Sequence, residues 1–189
     1  MKRVPFKENC LKNSDLHVSK KAKKDTIKPT SDDIKLEEKI GSGADGTVYK
    51  ATWTGNHGVR RVAVKRIRLS FHEKDASEKM IKELRVLSQA DHPNIIKVYT
   101  EISGHHDDGF RLVLELMDQD LLQYLKRNKI NIPLDKQINI CFQIASGLEY
   151  LHNMQPDPIL HRDLYPKNVL LSEDTSRVKI SDFGSAKWR

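Results

Sequence analysis

The sequence predicts an α+β chain in two lobes, a five-stranded sheet with one helix followed by a mainly helical part. Three observations carry this. Short β-branched and aromatic runs, parted by turn residues, fill positions up to 117, and only one stretch among them has helical periodicity. After Met117 the apolar spacing becomes helical. With 38% hydrophobic and 31% charged residues over 189 positions, the chain can bury an ordinary globular core.

Taken in order, residues 1–31 stand apart. Residues 1–30 hold nine Lys/Arg against three Asp/Glu, and the remainder holds 24 basic and 23 acidic residues, so the net charge of +7 sits almost wholly at the N-terminus. Few large apolar residues and the run Ser19-Lys20-Lys21-Ala22-Lys23-Lys24 predict a basic, disordered tail. A solvated leader is its plain reading; acidic partners or a nuclear address would suit the same charge. No specific nucleic-acid partner is expected. Met1 to Lys7 lacks the apolar stretch of a secretory signal, and no run approaches the ~18 apolar residues of a membrane span. Met1-Lys2 excludes a myristoylation start. Cys10 and Cys141 have neither metal-ligand spacing nor a disulfide partner, which fits an intracellular, cytoplasmic protein.

Residues 34–40 read as a strand entering the glycines, and 47–53 as the strand returning from them, so Gly41-x-Gly43-x-x-Gly46-x-Val48 is the bend of a hairpin. Thr54-Gly55-Asn56-His57-Gly58 is a turn before a third strand at 61–69. Met80, Ile81, Leu84 and Leu87 predict a helix over 75–90, stopped by Asp91-His92-Pro93-Asn94. Two more strands, 95–102 and 110–117, flank the polar turn from Gly104 to Gly109. A short helix over 120–127 and a long one over 134–154 follow. The long helix carries Ile138, Cys141, Ala145, Leu148 and Leu151 as its apolar stripe, which would make Cys141 a small core residue. Residues 169–171 and 178–180 read as a hairpin about Ser172 to Ser176. The expected division is a tail at 1–31, a sheet lobe at 32–117 and a helical lobe at 118–189.

The residues fit for chemistry form an ordered series. After the glycines come Val62-Ala63-Val64-Lys65, a helix bearing Glu83, then His161-Arg162-Asp163-Leu164-x-x-x-Asn168 and Asp182-Phe183-Gly184. Glycines let the main chain approach phosphate oxygens closely. A dinucleotide-binding reading needs a helix directly after them, and here a strand follows. Lys65 on an apolar strand needs a buried partner, and the helix offers Glu83 or its rival Glu78.

In this order the motifs resemble the signature set of eukaryotic protein kinases, over about 34–187. The resemblance implies a bilobal kinase fold, ATP and Mg²⁺ as nucleotide and metal, and transfer of the γ-phosphoryl group to a protein hydroxyl of serine or threonine. It assigns the phosphates to Gly41, Gly43, Gly46 and Lys65, with Glu83 orienting the lysine. It assigns the adenine to Val48, Ala63, Leu170 and a hinge at Glu115, Leu116 and Met117, with Leu114 guarding an inner pocket. Asp163 would orient the acceptor hydroxyl, and Asn168 and Asp182 would hold metal. His161 and Phe183 would pack with Leu87 and Val98. Trp53-Thr54-Gly55 and Gln155-Pro156-Asp157-Pro158-Ile159-Leu160 resemble the tyrosine-kinase-like group. Asp182-Phe183-Gly184-Ser185-Ala186-Lys187 is similar to glycogen-synthase-kinase-like enzymes.

Two residues depart from the pattern. Tyr165 stands where serine/threonine kinases place a phosphate-neutralising lysine, and it carries no charge near neutral pH. Asp45 stands at the tip of the glycine loop, where an aromatic is common. The activation segment and the helices beyond it are expected to be absent, leaving an incomplete second lobe and an exposed apolar face on the long helix. The rival function is a catalytically inactive nucleotide-binding or regulatory kinase fragment. A small-molecule phosphotransferase of related fold fits the motif combination less well.

Overall fold

A computed structural model describes residues 31–43, 46–55, 58–67, 74–103, 110–128 and 131–189. The basic tail, Asp45 and the turn at 104–109 lie outside the described residues, as do the side chains of 74–81, Glu78 among them.

Strand β1 (Ile34–Gly43) turns back through the glycines into β2 (Gly46–Gly55), with Gly43 opposite Gly46. The glycine series is therefore a hairpin bend, as its β-forming flanks require. Strand β3 (Gly58–Ile67) pairs with β2 and with β5 (Phe110–Glu115), and β4 (Val98–Ser103) closes the antiparallel order β1-β2-β3-β5-β4. Central placement explains why Val62, Ala63, Val64 and Lys65 are all buried: the strand has covers on both faces. Val62 and Val64 join Ile34, Ala51, Ile102 and Val113 on one side. Ala63 and Ile67 join Leu84, Leu87 and Leu112 on the other, under helix α1 (Lys74–Gln89).

The strand expected at 61–69 begins three residues earlier, because its pairing with β2 extends back to Gly58 opposite Gly55, and positions 68 and 69 lie outside the described residues. The strand expected at 95–102 begins only at Val98. Its first residues serve the other lobe instead. Ile95 forms a parallel bridge with Ile180, the Ile96 N–H donates to the Ile180 carbonyl at 2.9 Å, and the Ile180 N–H donates to the Asn94 carbonyl at 2.8 Å.

The second lobe holds β6 (Gln119–Asp120), α2 (Leu121–Asn128), α3 (Leu134–His152), β7 (Ile159–Leu160), β8 (Val169–Leu171), β9 (Val178–Ile180) and β10 (Lys187–Trp188). Asp120 starts α2 by accepting the Gln123 N–H on its carboxylate at 2.7 Å. The β8–β9 hairpin is present as expected, with β6 beside it, and β10 pairs with β7.

Helix α3 corrects the expected stripe. Ile138, Cys141 and Ala145 are exposed, and the buried face carries Ile140, Gly147 and Leu151, with Ile144 and Leu148 partly covered. Cys141 is thus not a core residue. The helix turns toward the hairpin strands Val169, Leu171 and Val178, and toward Asn94, which approach it on one side only. Leu134, Ile138 and Phe142 are 69%, 59% and 70% exposed, so α3 does leave apolar surface uncovered, but of these three only Ile138 belongs to the expected stripe, whose Leu151 is buried. Among the described residues no helix is long and apolar enough to cross a membrane.

Candidate functional site

The site lies where β3, α1, the segment after β7 and the end of β9 converge. Lys65 pairs across the sheet with Val48 and with Leu112, which fixes its side chain toward α1. Its Nζ lies 2.6 Å from Glu83 Oε2 and 3.4 Å from Asp182 Oδ1. Lys65 is 7% and Glu83 3% exposed, so an ammonium and a carboxylate share an almost dry position that neither could occupy alone. The structure thus pairs Lys65 with Glu83, as expected, and brings in Asp182 as well.

Asp182 arrives there with φ 65°, and Arg162 beside Asp163 has φ 66°. Non-glycine residues in the left-handed region carry a cost on the order of 1 kcal/mol or more, and such costs gather at sites that use them. Surrounding bonds hold the geometry. The Ser181 N–H and hydroxyl both donate to the Asn168 carbonyl, at 2.8 and 3.1 Å. Asn168 Nδ2 donates to the Asp163 carbonyl at 2.8 Å and to its carboxylate at 3.3 Å. Its amide nitrogen is therefore occupied, and Oδ1 is the atom left to meet a cation. An amide oxygen from Asn168 and a carboxylate from Asp182 are the hard donors a magnesium ion accepts when phosphate and water complete its shell.

His161 is 3% exposed and packs edge-on against Phe183 with ring centroids 4.9 Å apart. Burial lowers its pKa from the ordinary value, against opposing pulls from the Ser181 carbonyl, Asp182 and Asp163. The neutral ring fits its contacts. Nε2 donates to the Ser181 carbonyl at 3.0 Å, and Nδ1 accepts the Asp163 N–H at 3.3 Å. Phe183 and Leu87 are buried in one cluster, with Val98 packed against it, as the sequence led us to expect.

The residues expected around an adenine also meet. Ala63, Leu114 and Met117 are buried in that cluster, and Val48, Leu116 and Leu170 pack against it. The Glu115 N–H is taken up by the Lys97 carbonyl at 2.9 Å. Gly41 faces Val48. Gly46 has φ 138°, and a Cβ there would stand 2.1 Å from the Arg66 carbonyl oxygen, so only glycine fits the bend.

Sequence reasoning missed the polar junction beside the hinge. The Glu115 carboxylate meets Lys179 Nζ at 2.9 Å and Arg177 Nη1 at 3.2 Å. Asn94 Nδ2 donates to Gln143 Oε1 and the Val178 carbonyl, at 2.8 and 2.9 Å. One signal was present: a lysine between Val178 and Ile180, in a strand otherwise wholly apolar.

The family described as protein tyrosine and serine/threonine kinase matches residues 34–188. Mitogen-activated protein kinase kinase kinase 7 of Bos taurus and that of Mus musculus are each 38% identical over 157 residues, covering 82% of this chain. The chain spans about a quarter of the length of these relatives (25%).

Proposed function

The chain belongs to the protein tyrosine and serine/threonine kinase family, and from that premise we propose that it carries the nucleotide cleft of an enzyme transferring the γ-phosphoryl group of Mg-ATP to a protein hydroxyl, of serine or threonine. The observation that supports this best is the buried pair Lys65 and Glu83 with the partly exposed Asp182 against it, and Asp163 and Asn168 bonded beside them. Such a transfer needs charge neutralisation and alignment more than covalent chemistry from the protein.

On this reading Lys65, held by Glu83, meets the α/β-phosphate oxygens, and the main chain at Gly41, Gly43 and Gly46 lies over them. Val48, Ala63, Leu170 and the hinge from Glu115 to Met117 enclose the adenine. Asn168 and Asp182 would hold Mg²⁺, which when bound neutralises charge developing on the transferred phosphoryl group. Asp163 accepts the proton of the acceptor hydroxyl or holds that hydroxyl in line. The family description admits serine/threonine as well as tyrosine acceptors; the serine/threonine preference rests on the motif resemblance, and the tyrosine-kinase-like placement on Trp53-Thr54-Gly55. The division at 31/32 and 117/118, the acidic partners of the tail and the cytoplasmic location belong to the same proposal.

Tyr165 favours a second reading, a nucleotide-binding regulatory module, because an uncharged phenol replaces the lysine expected two residues after Asp163. Thermal unfolding with and without Mg-ATP, followed by a transfer assay with γ-labelled ATP, tests both. At a hundred times Kd, ligand binding stabilises by about 2.7 kcal/mol, a rise of several degrees in Tm. Lys65→Met should reduce that rise, and Asp163→Asn should keep it while abolishing transfer. No rise for the unmodified chain overturns the nucleotide reading. A rise without transfer, in a protein extended through the rest of the second lobe, favours the regulatory module.

A further inference from the structure

Lys179 sits at a junction that the phosphoryl-transfer reading does not use. It lies on β9, three residues before Asp182, with Val178 and Ile180 on either side, and is itself buried. Its ammonium has three N–H bonds and three acceptors: the Pro93 carbonyl at 2.9 Å, the Ile95 carbonyl at 3.4 Å and Glu115 Oε2 at 2.9 Å. The acceptors come from the turn after α1 and from the end of β5. A buried ammonium is tolerable only when its donors are satisfied in this way.

The three tied segments are not equally dependent on it. The turn after α1 has independent anchors, because the Asn94 side chain bonds Gln143 and the Val178 carbonyl, the Asn94 carbonyl accepts the Ile180 N–H, and the Ile96 N–H donates to the Ile180 carbonyl. Among the described residues the Glu115 side chain has one other ion pair, with Arg177, whose own side chain is 56% exposed. What Lys179 adds beyond existing ties is therefore the fixation of Glu115. Glu115 begins the segment 115–117 that would face an adenine. The junction is closed in the same structure in which Lys65, Glu83 and Asp182 are assembled, so it accompanies the assembled cleft and does not oppose it.

We propose that Lys179 is a positioning residue for nucleotide binding: by joining Glu115 to the carbonyls of Pro93 and Ile95, it holds the 115–117 segment in the place where a purine ring is received. The proposal rests on the nucleotide reading. Without Lys179, a half-buried carboxylate loses its close cation and moves toward water, and the end of β5 follows it. The purine contact suffers, while the phosphate contacts at Lys65 do not.

That asymmetry is the test. In the full chain carrying Lys179→Met, dissociation constants for adenosine and for Mg-ATP are measured well below the unfolding temperature, with amide hydrogen exchange at Glu115 and Met117. The expected result is a loss of about tenfold in affinity, equal for both ligands, and faster exchange at both amides. Lys65→Met, by contrast, should weaken Mg-ATP and spare adenosine. Unchanged affinities, or a loss confined to Mg-ATP, overturn the proposal, since a merely stabilising lysine would lower Tm without altering the purine contact. Should Lys179→Met fail to fold, Glu115→Gln must show a smaller loss of the same pattern, and equal binding to the unmodified chain overturns the proposal. If the unmodified chain binds neither ligand, the nucleotide reading falls. Exchange at 115 and 117 then decides whether Lys179 holds that segment at all.

Discussion

A single lysine shows how burial converts a residue type into a role. Lys65 is tolerated beside Leu112 and Ala63 only because Glu83 and Asp182 accept its charge. His161 is kept neutral by the same economy of space, and this has a pH consequence. Its folded pKa is lowered from 6.5, chiefly by burial. Below 6.5 the unfolded chain takes up a proton that the folded chain resists, so stability is full above that value and is lost as the pH falls toward the depressed one. His92, lowered by burial and by Lys179, adds a slope of the same sign. Urea midpoints measured from pH 8 to 5 should therefore fall below about pH 6.5, and His161→Gln should flatten part of that fall. A profile unchanged by His161→Gln would show that the buried ring is not its source. The motif residues at this scale were legible because their types and spacing are specific. Lys179 was not, because its acceptors are two backbone carbonyls and one carboxylate from distant segments.

Elements meet where glycine permits. Gly147 on α3 lies so close to the first lobe that a Cβ would stand 3.0 Å from Ile180 Cδ1 and 3.1 Å from the Asn94 carbonyl oxygen. Ile180 can rotate, but the carbonyl is already bonded to the Ile180 N–H and cannot retreat cheaply. Alanine gains up to about 1 kcal/mol in helix propensity, while overpacking costs about 1–3 kcal/mol. Gly147→Ala should therefore lower stability by about 1 kcal/mol in chemical denaturation, and a stabilised variant would show that α3 and the turn after α1 separate easily. Helix and strand types followed from periodicity. The late start of β4 did not, because Ile95 and Ile96 look like strand residues and their pairing partner lies 84 or more positions away at Ile180. The rotation of α3 was also hidden: its sequence is apolar on more than one side, and only the hairpin beneath it selects which side is covered.

For the whole molecule, the uncovered face of α3 sets solution behaviour. Leu134, Ile138 and Phe142 present contiguous apolar surface one to two helical turns apart. Light scattering across a concentration series should show self-association of this chain, and Ile138→Ser with Phe142→Ser should reduce it while shifting Tm little, since exposed side chains add little to folding. Association unchanged by both substitutions would place the sticky surface elsewhere. At this scale the sequence by itself determined the two-lobe α+β class and the hairpin character of the glycine series, and it singled out Lys65, Glu83, Asp163, Asn168 and Asp182 as the candidate set. Local periodicity and motif spacing are properties of neighbouring residues, and those need no partner to be read. Tertiary structure alone decided that Asp182 shares Lys65 with Glu83, that Asn94 and Ile180 join the lobes, that Cys141 faces outward and that Lys179 ties Glu115 in place. Each depends on which distant segment supplies the missing acceptor or the missing cover, and that is fixed only when the lobes pack.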